Sequence, residues 1–312
     1  MSSHRQRTSL VTGGTDGIGK VIARELAAMG HRTIIVGRNE AKGRQAEREL
    51  RASTSNERVD FIQADLSLVQ GIDALAVAIT QRCTSLDTLI LNAGVVLRTR
   101  ELTNEGLERM FATNFLGRFE LARALLPLLE AAGRRDDPSH LLLVNGAARG
   151  RRIHYADPSL RARFSVIRAV RQFCLANDLF ALSLAQRVHE SPASARVSIA
   201  CLKLGPVKTN IRRQGPWWMK WIVPLILDPL LGQMPEDAAK SAFRAMREAS
   251  PNDPASVLFM KIRRFRQLSP DDGLLDEREW ARLWTWSDQL AKAARAHTLD
   301  ASVGTPLMIS AL

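Results

Sequence analysis

The run Thr12-Gly13-Gly14-Thr15-Asp16-Gly17-Ile18-Gly19 closes an apolar stretch, SLVTG at 9–13, and opens a segment of helical period at 18–29. A strand that turns into a helix over glycines leaves backbone N–H groups open at a helix N-terminus, where the amides and the helix dipole can hold a phosphate. The turn also commits the next segment to cross back over a sheet, which narrows the folds open to the chain.

The same alternation continues downstream. Short β-branched or Leu-rich runs recur as RTIIVG at 32–37, VDFIQ at 59–63, DTLILN at 87–92, HLLLVN at 140–145 and RVSIACLK at 196–203. Helical period fills 40–51, 68–82, 106–132 and 166–189 between them. Strand, helix, strand, helix predicts an α/β chain: a Rossmann-like, doubly wound parallel sheet with helices on both faces. No repeat or linker divides residues 1–312, so one domain is expected.

After the sixth strand the texture changes. Residues 210–235 carry Trp217, Trp218 and Trp221 among prolines, and helical pattern resumes from Glu236. Ligands bind at the carboxyl ends of strands in open α/β sheets, so this insertion reads as a substrate lid. Its apolar run is broken by Lys220, Pro224, Asp228 and Pro229 and falls short of the ~20 residues a membrane span needs. The first residues, MSSHRQRTS, carry charge without an apolar stretch, so neither a signal peptide nor an anchor is expected. Three widely spaced cysteines, Cys83, Cys174 and Cys201, offer no disulfide framework and no metal-ligand spacing. A cytoplasmic setting without a bound metal follows as the expectation. The formal net charge of +12 is mostly arginine dispersed among acidic neighbours, a solvated face rather than a nucleic-acid surface.

Four further motifs follow the glycine turn in order: Asp65-Leu66 after the third strand, Asn92-Ala93-Gly94 after the fourth, Asn114 in the next helix, and Gly205-Pro206-Val207-Lys208-Thr209 after the sixth. Together they resemble the short-chain dehydrogenase/reductase family over about residues 8–300. LANDLFALSLAQRV at 175–188 and the later EREWARLWTWSDQL are similar to its retinol-dehydrogenase-like branch. The resemblance implies that Gly13, Thr15, Asp16, Gly17, Ile18 and Gly19 form the phosphate cradle and that Asp65 and Leu66 meet adenine. It places Asn92, Ala93 and Gly94 along the ribose and nicotinamide, and Gly205, Val207 and Thr209 at the carboxamide side.

Cofactor choice is read at the end of the second strand, where an NADH enzyme places a carboxylate on the ribose 2′-hydroxyl. Gly37-Arg38 stands there instead. A guanidinium pairs bidentately with a 2′-phosphate, so NADPH is expected, with NADH the less favoured alternative. The plain alternative for Arg38 is an exposed residue capping the next helix.

The resemblance implies a tyrosine as proton donor, a lysine four residues later and a serine after the fifth strand. This chain departs from all three. Aligned on LANDLF, the tyrosine position is Val170 and the lysine position is Cys174. The only tyrosine, Tyr155, is followed four residues later by Ser159. The fifth strand ends Val144-Asn145-Gly146-Ala147-Ala148, without a hydroxyl. Only Asn114 survives, and a structural role is expected for it.

Two classes of function are open. One is an atypical ketoreductase whose proton comes from the substrate: a phenol beside the ketone offsets the alkoxide charge without a protein acid, and cofactor positioning supplies the rest. Polycyclic aromatic polyketides carry that arrangement, a Trp-rich lid suits a flat aromatic ketone, and the chain is similar to atypical angucyclinone ketoreductases of the simocyclinone type, enzymes of antibiotic biosynthesis. The other is a nucleotide-binding pseudoenzyme. Tyr155 and His154, in the loop after the fifth strand, are expected to pack against the lid rather than donate a proton, and Cys174 is expected to be a buried helix thiol. Oligomeric state is open.

Overall fold

The structure, a computed structural model, describes residues 5–134, 136–148, 152–191, 196–205, 234–261, 264–269 and 274–296. The predicted Val207, Thr209, Trp217, Trp218 and Trp221 lie outside them, as does nearly all of the predicted lid.

The first half alternates as its periodicity predicts: β1 (Thr8–Thr12), α1 (Gly17–Ala28), β2 (Arg32–Gly37), α2 (Glu40–Thr54), β3 (Val59–Gln63), α3 (Val69–Thr80) and β4 (Thr88–Leu91). A short α4 (Arg109–Phe111) runs through a π-helical turn (Ala112–Leu116) into α5 (Gly117–Ala132). Then come β5 (Ser139–Gly146), α6 (Val166–Glu190), β6 (Val197–Leu204), α7 (Pro235–Glu248), β7 (Leu258–Lys261), β8 (Phe265–Gln267) and α8 (Glu277–Arg295). The sheet order is β3-β2-β1-β4-β5-β6-β7-β8, parallel throughout except for the final β7–β8 pair.

Strands β1, β4 and β6 are buried along their whole length, as central parallel strands covered on both faces must be; this is why they read as continuous apolar runs. One core lies between the sheet and α3, α5, α6 and α8, the other between the sheet and α1, α2 and α7. Phe115, Phe119 and Phe180 centre the first, their rings meeting tilted or edge-on at 5.2–6.5 Å. Each fully buried phenyl of this kind contributes about 2–3 kcal/mol.

Two differences from the sequence expectation have local causes. The helix expected over 106–132 starts at Arg109, because the Glu108 carboxylate caps it by accepting from Met110 N at 2.9 Å and Phe111 N at 2.8 Å. The β7–β8 hairpin was not expected: its strands are four and three residues long, too short for alternation to register. Strand order reverses between β1 and β4, and the crevice outside their carboxyl ends is where such sheets bind ligands.

Candidate functional site

The glycine turn is locked to the neighbouring strand end by side chains. Thr12 Oγ1 donates to Ile90 O at 3.1 Å and accepts from Asn92 N at 3.0 Å and Ala93 N at 3.1 Å. Asn92 Nδ2 donates back to Thr12 O at 3.2 Å and Gly13 O at 3.3 Å. Gly13 has φ +65°, a left-handed conformation that favours glycine. A Cβ on Gly19 would stand 2.3 Å from Gly13 O and 2.4 Å from Asn92 Nδ2, so only a bare backbone lets α1 approach so closely. Asp16 caps α1, accepting from Gly17 N at 2.8 Å, and its second oxygen meets Lys42 Nζ at 2.6 Å. Thr15 lies against Gly37 at the end of β2, and Ile18 packs on the second core.

A cleft of about 690 Å³ opens at the carboxyl ends of β2 and β3, lined by Arg38, Asn39, Ile62, Gln63 and Asp65 among others. Arg38 is exposed there, and its carbonyl accepts from Gln63 Nε2 at 3.0 Å. It does not cap α2: Asn39 does, accepting from Lys42 N at 2.9 Å. The capping half of the plain alternative for Arg38 therefore falls to Asn39, while Arg38 itself is an exposed residue lining the cleft. Asp65 is held by Ser67, whose N and Oγ donate to Oδ1 at 2.9 and 2.7 Å, and Leu66 is buried beside it. Gly205 ends β6, donating to Lys261 O at 3.0 Å. A dinucleotide fits this arrangement: a bare-backbone turn at a helix N-terminus, then a cleft with a basic mouth.

Beyond the cradle lie the positions that the resemblance assigns to the family's tyrosine and lysine. Val170 sits half-buried against the core in the second turn of α6, and Cys174 is fully buried one turn later. Burial, and next the Asp178 charge, push the Cys174 thiol up to about 12. Among the described residues Tyr155 is held by α8; the lid against which it was expected to pack lies outside them. Its Oη donates to Glu279 Oε2 at 2.9 Å, Arg282 stacks over its ring at 4.1 Å, and Trp286 meets it edge-on at 5.1 Å. Burial, then the Glu279 hydrogen bond, raises its phenol above the ordinary range, so it is a weaker acid than a free tyrosine. His154 is held through its backbone, N donating to Gln172 Oε1 at 3.1 Å, and Ser165 caps α6.

Asn114 braces neighbouring backbone. Its Oδ1 accepts from Val95 N at 2.7 Å, its Nδ2 donates to Val95 O at 2.8 Å, and its carbonyl accepts from Asn177 Nδ2 at 2.9 Å. It holds the segment after Gly94 from inside the π-helical turn.

Sequence reasoning missed a buried polar network beneath these positions. Arg118 Nη1 donates to Val144 O at 2.8 Å, and its Nη2 to Ala93 O at 2.8 Å and Asn92 O at 3.4 Å. Burial lowers this guanidinium to about 10. Lys203 and Asn145 are neighbours across β6 and β5. Lys203 Nζ pairs with the Asp178 carboxylate, and Asn145 Nδ2 donates to Asp178 Oδ1 and to Cys174 O, each at 3.0 Å. The signal was available as charged residues inside otherwise apolar runs, LKL at 202–204 and NDLF at 177–180. Among the described residues no cluster of His, Cys, Asp and Glu has the arrangement of a metal site, and no helix is long and apolar enough to cross a membrane.

A doubly wound sheet with a dinucleotide cradle at its switch point defines the class of dinucleotide-binding α/β proteins. The family profile described as short chain dehydrogenase matches residues 7–136. The chain is 33% identical to mouse polyprenol dehydrogenase over 239 residues, 75% of this chain and 69% of that protein. It is 30% identical to mouse retinol dehydrogenase 13 over 297 residues, covering 93% and 85% of the two chains. A solved structure of an uncharacterized protein from Mycobacterium paratuberculosis superposes with a TM-score of 0.68 at 27% identity, covering 92% of this chain and 94% of that one. The chain belongs to the short-chain dehydrogenase family of oxidoreductases.

Proposed function

We infer that this family member is an NADPH-dependent ketoreductase that reduces a ketone of a polycyclic aromatic, angucyclinone-like polyketide in antibiotic biosynthesis. One observation carries the reading: the glycine turn is kept while the run Val144–Ala148 has no hydroxyl, Val170 and Cys174 stand at the positions aligned with the family's tyrosine and lysine, and Tyr155 is tied to Glu279. A site that binds the cofactor without a protein acid suits a substrate that brings its own proton. NADPH would supply a hydride to the carbonyl carbon; a phenol beside the ketone would pass its proton to the carbonyl oxygen and regain one from water. Arg38 at the cleft mouth supports NADPH over NADH. Relatives named for polyprenol and retinol support a large, apolar substrate. In this reading residues 1–312 form one domain, the Trp217, Trp218 and Trp221 segment covers the substrate, and the protein works in the cytoplasm.

The second reading is a nucleotide-binding pseudoenzyme, favoured by the burial of Cys174 and its raised pKa. Mixing the protein with NADPH and a panel of phenolic polycyclic ketones, while following absorbance of the reduced cofactor, separates the two. Oxidation of NADPH with a phenolic ketone, and none with its O-methylated counterpart, is the expected result. NADPH binding without turnover of any ketone favours the pseudoenzyme.

A further inference from the structure

Arg118 is 7% exposed, and among the described residues its guanidinium bonds to the carbonyl oxygens of Asn92, Ala93 and Val144. No carboxylate pairs with it among the described residues. The buried acid of this region, Asp178, is already taken by Lys203, both side chains being 6% exposed or less. Arg118 and the Lys203–Asp178 pair are anchored to adjacent residues of β5, Arg118 through Val144 O and Asp178 through Asn145 Nδ2. A fully desolvated cation without an anion is costly, and its field is felt further than at a surface.

The location gives that charge a use. Nη2 of Arg118 lies 3.5 Å from the point a Cβ on Gly94 would occupy, directly beneath Asn92-Ala93-Gly94 at the end of β4. Arg118 is also one helical turn after Asn114, so the same face of the helix that braces Val95 carries the guanidinium. We propose that Arg118 is a positioning residue that supplies, from beneath the Asn92-Ala93-Gly94 segment, the positive potential for a substrate oxygen that is, or becomes, an oxyanion. The substrate class that fits is a hydroxylated aromatic ketone with a readily ionised hydroxyl. The proposal deepens the ketoreductase reading and rests on it for the identity of the ligand. Preorganised positive charge of this kind stabilises developing negative charge without reorganisation.

Alizarin, a hydroxyanthraquinone whose colour reports its ionisation, tests this without turnover. It is titrated bound to the full chain with NADP+. In the wild type the bound hydroxyl ionises about tenfold more readily than in free dye, a shift of about one pH unit. Arg118→Met loses this shift and Arg118→Lys keeps most of it, with NADP+ affinity within about threefold throughout. A role as a backbone clamp alone predicts that Lys, which lacks the planar fork, fails as Met does. Should Arg118→Met lose NADP+ binding, Asp178→Asn decides: removal of the one negative charge must enlarge the shift. No dye binding, an unshifted dye in the wild type, or an equal shift in Arg118→Met overturns the proposal, as does a smaller shift in Asp178→Asn. NADPH consumption with phenolic ketones is followed in parallel. A shifted dye with no ketone reduced leaves the role of Arg118 standing and sinks the ketoreductase reading.

Discussion

The Cys174 sulfur lies 3.0 Å from the place a Cβ on Gly146 would take. The end of β5 and the third turn of α6 are therefore fitted to each other as a bare backbone and a thiol. Gly146→Ser is expected to destabilise the fold by about 1–3 kcal/mol through overpacking. Adding Cys174→Ala should recover most of that loss in a double-mutant cycle. Urea unfolding of the four proteins measures it, and additive effects would show that the two positions are not coupled.

Tyr155→Phe removes the donor to Glu279 while keeping the ring against Arg282 and Trp286. A loss of about 1 kcal/mol in stability is expected, with turnover of a phenolic ketone held within about threefold; His154→Ala behaves alike. A fall of about 10²-fold or more in either variant would identify a protein proton donor.

Much of this was legible in the sequence. Glycines at a strand-to-helix turn, and apolar runs set by burial on both sheet faces, marked β1 to β6 and the cradle because each has a purely local physical cause. The missing Ser, Tyr and Lys were legible as absences, since Tyr155 has no lysine four residues on. The partner of Tyr155 was not, because Glu279 lies 124 residues away and nothing local ties the loop to α8. Arg118, Asp178 and Lys203 each read as one charge in an apolar run, and only the packing of α5, α6 and β6 joins them.

Arg38 is exposed at the mouth of the cleft beside β3. Arg38→Asp places a carboxylate where a 2′-phosphate would sit and offers an acceptor to a 2′-hydroxyl. The ratio of NADH to NADPH affinity should move by about tenfold or more toward NADH, equal to about 1.4 kcal/mol. Fluorescence titration with both cofactors reads it, and an unchanged ratio removes Arg38 from the cofactor site.

Two histidines, His31 buried and His140 half-buried, set a pH limit on the fold. Burial, foremost, lowers the pKa of both; His31 Nδ1 lies 2.7 Å from Ser9 Oγ, and His140 Nδ1 is buried with no partner among the described residues. Both stay neutral in the fold at a pH where the unfolded chain is protonated. Stability is thus complete above the unfolded value of about 6.5 and is lost as pH falls below it, by about 1 kcal/mol per histidine per pH unit. Urea midpoints between about pH 7.5 and 5.5 should fall accordingly, and His140→Leu should flatten the slope. An unchanged slope in that variant would exclude His140.

Cys174 is fully buried and within electrostatic reach of Arg118, so a lysine introduced there would meet an unpaired guanidinium in a dry region. Cys174→Lys is expected to cost about 3–5 kcal/mol, whereas Cys174→Met, without charge, costs less because its chain can adapt to the gap. Arg118→Met should rescue Cys174→Lys, because one buried cation then replaces another. Thermal unfolding of the single and double variants measures this. A double variant no more stable than Cys174→Lys would mean that bulk, and not charge, excludes lysine from α6 in this chain.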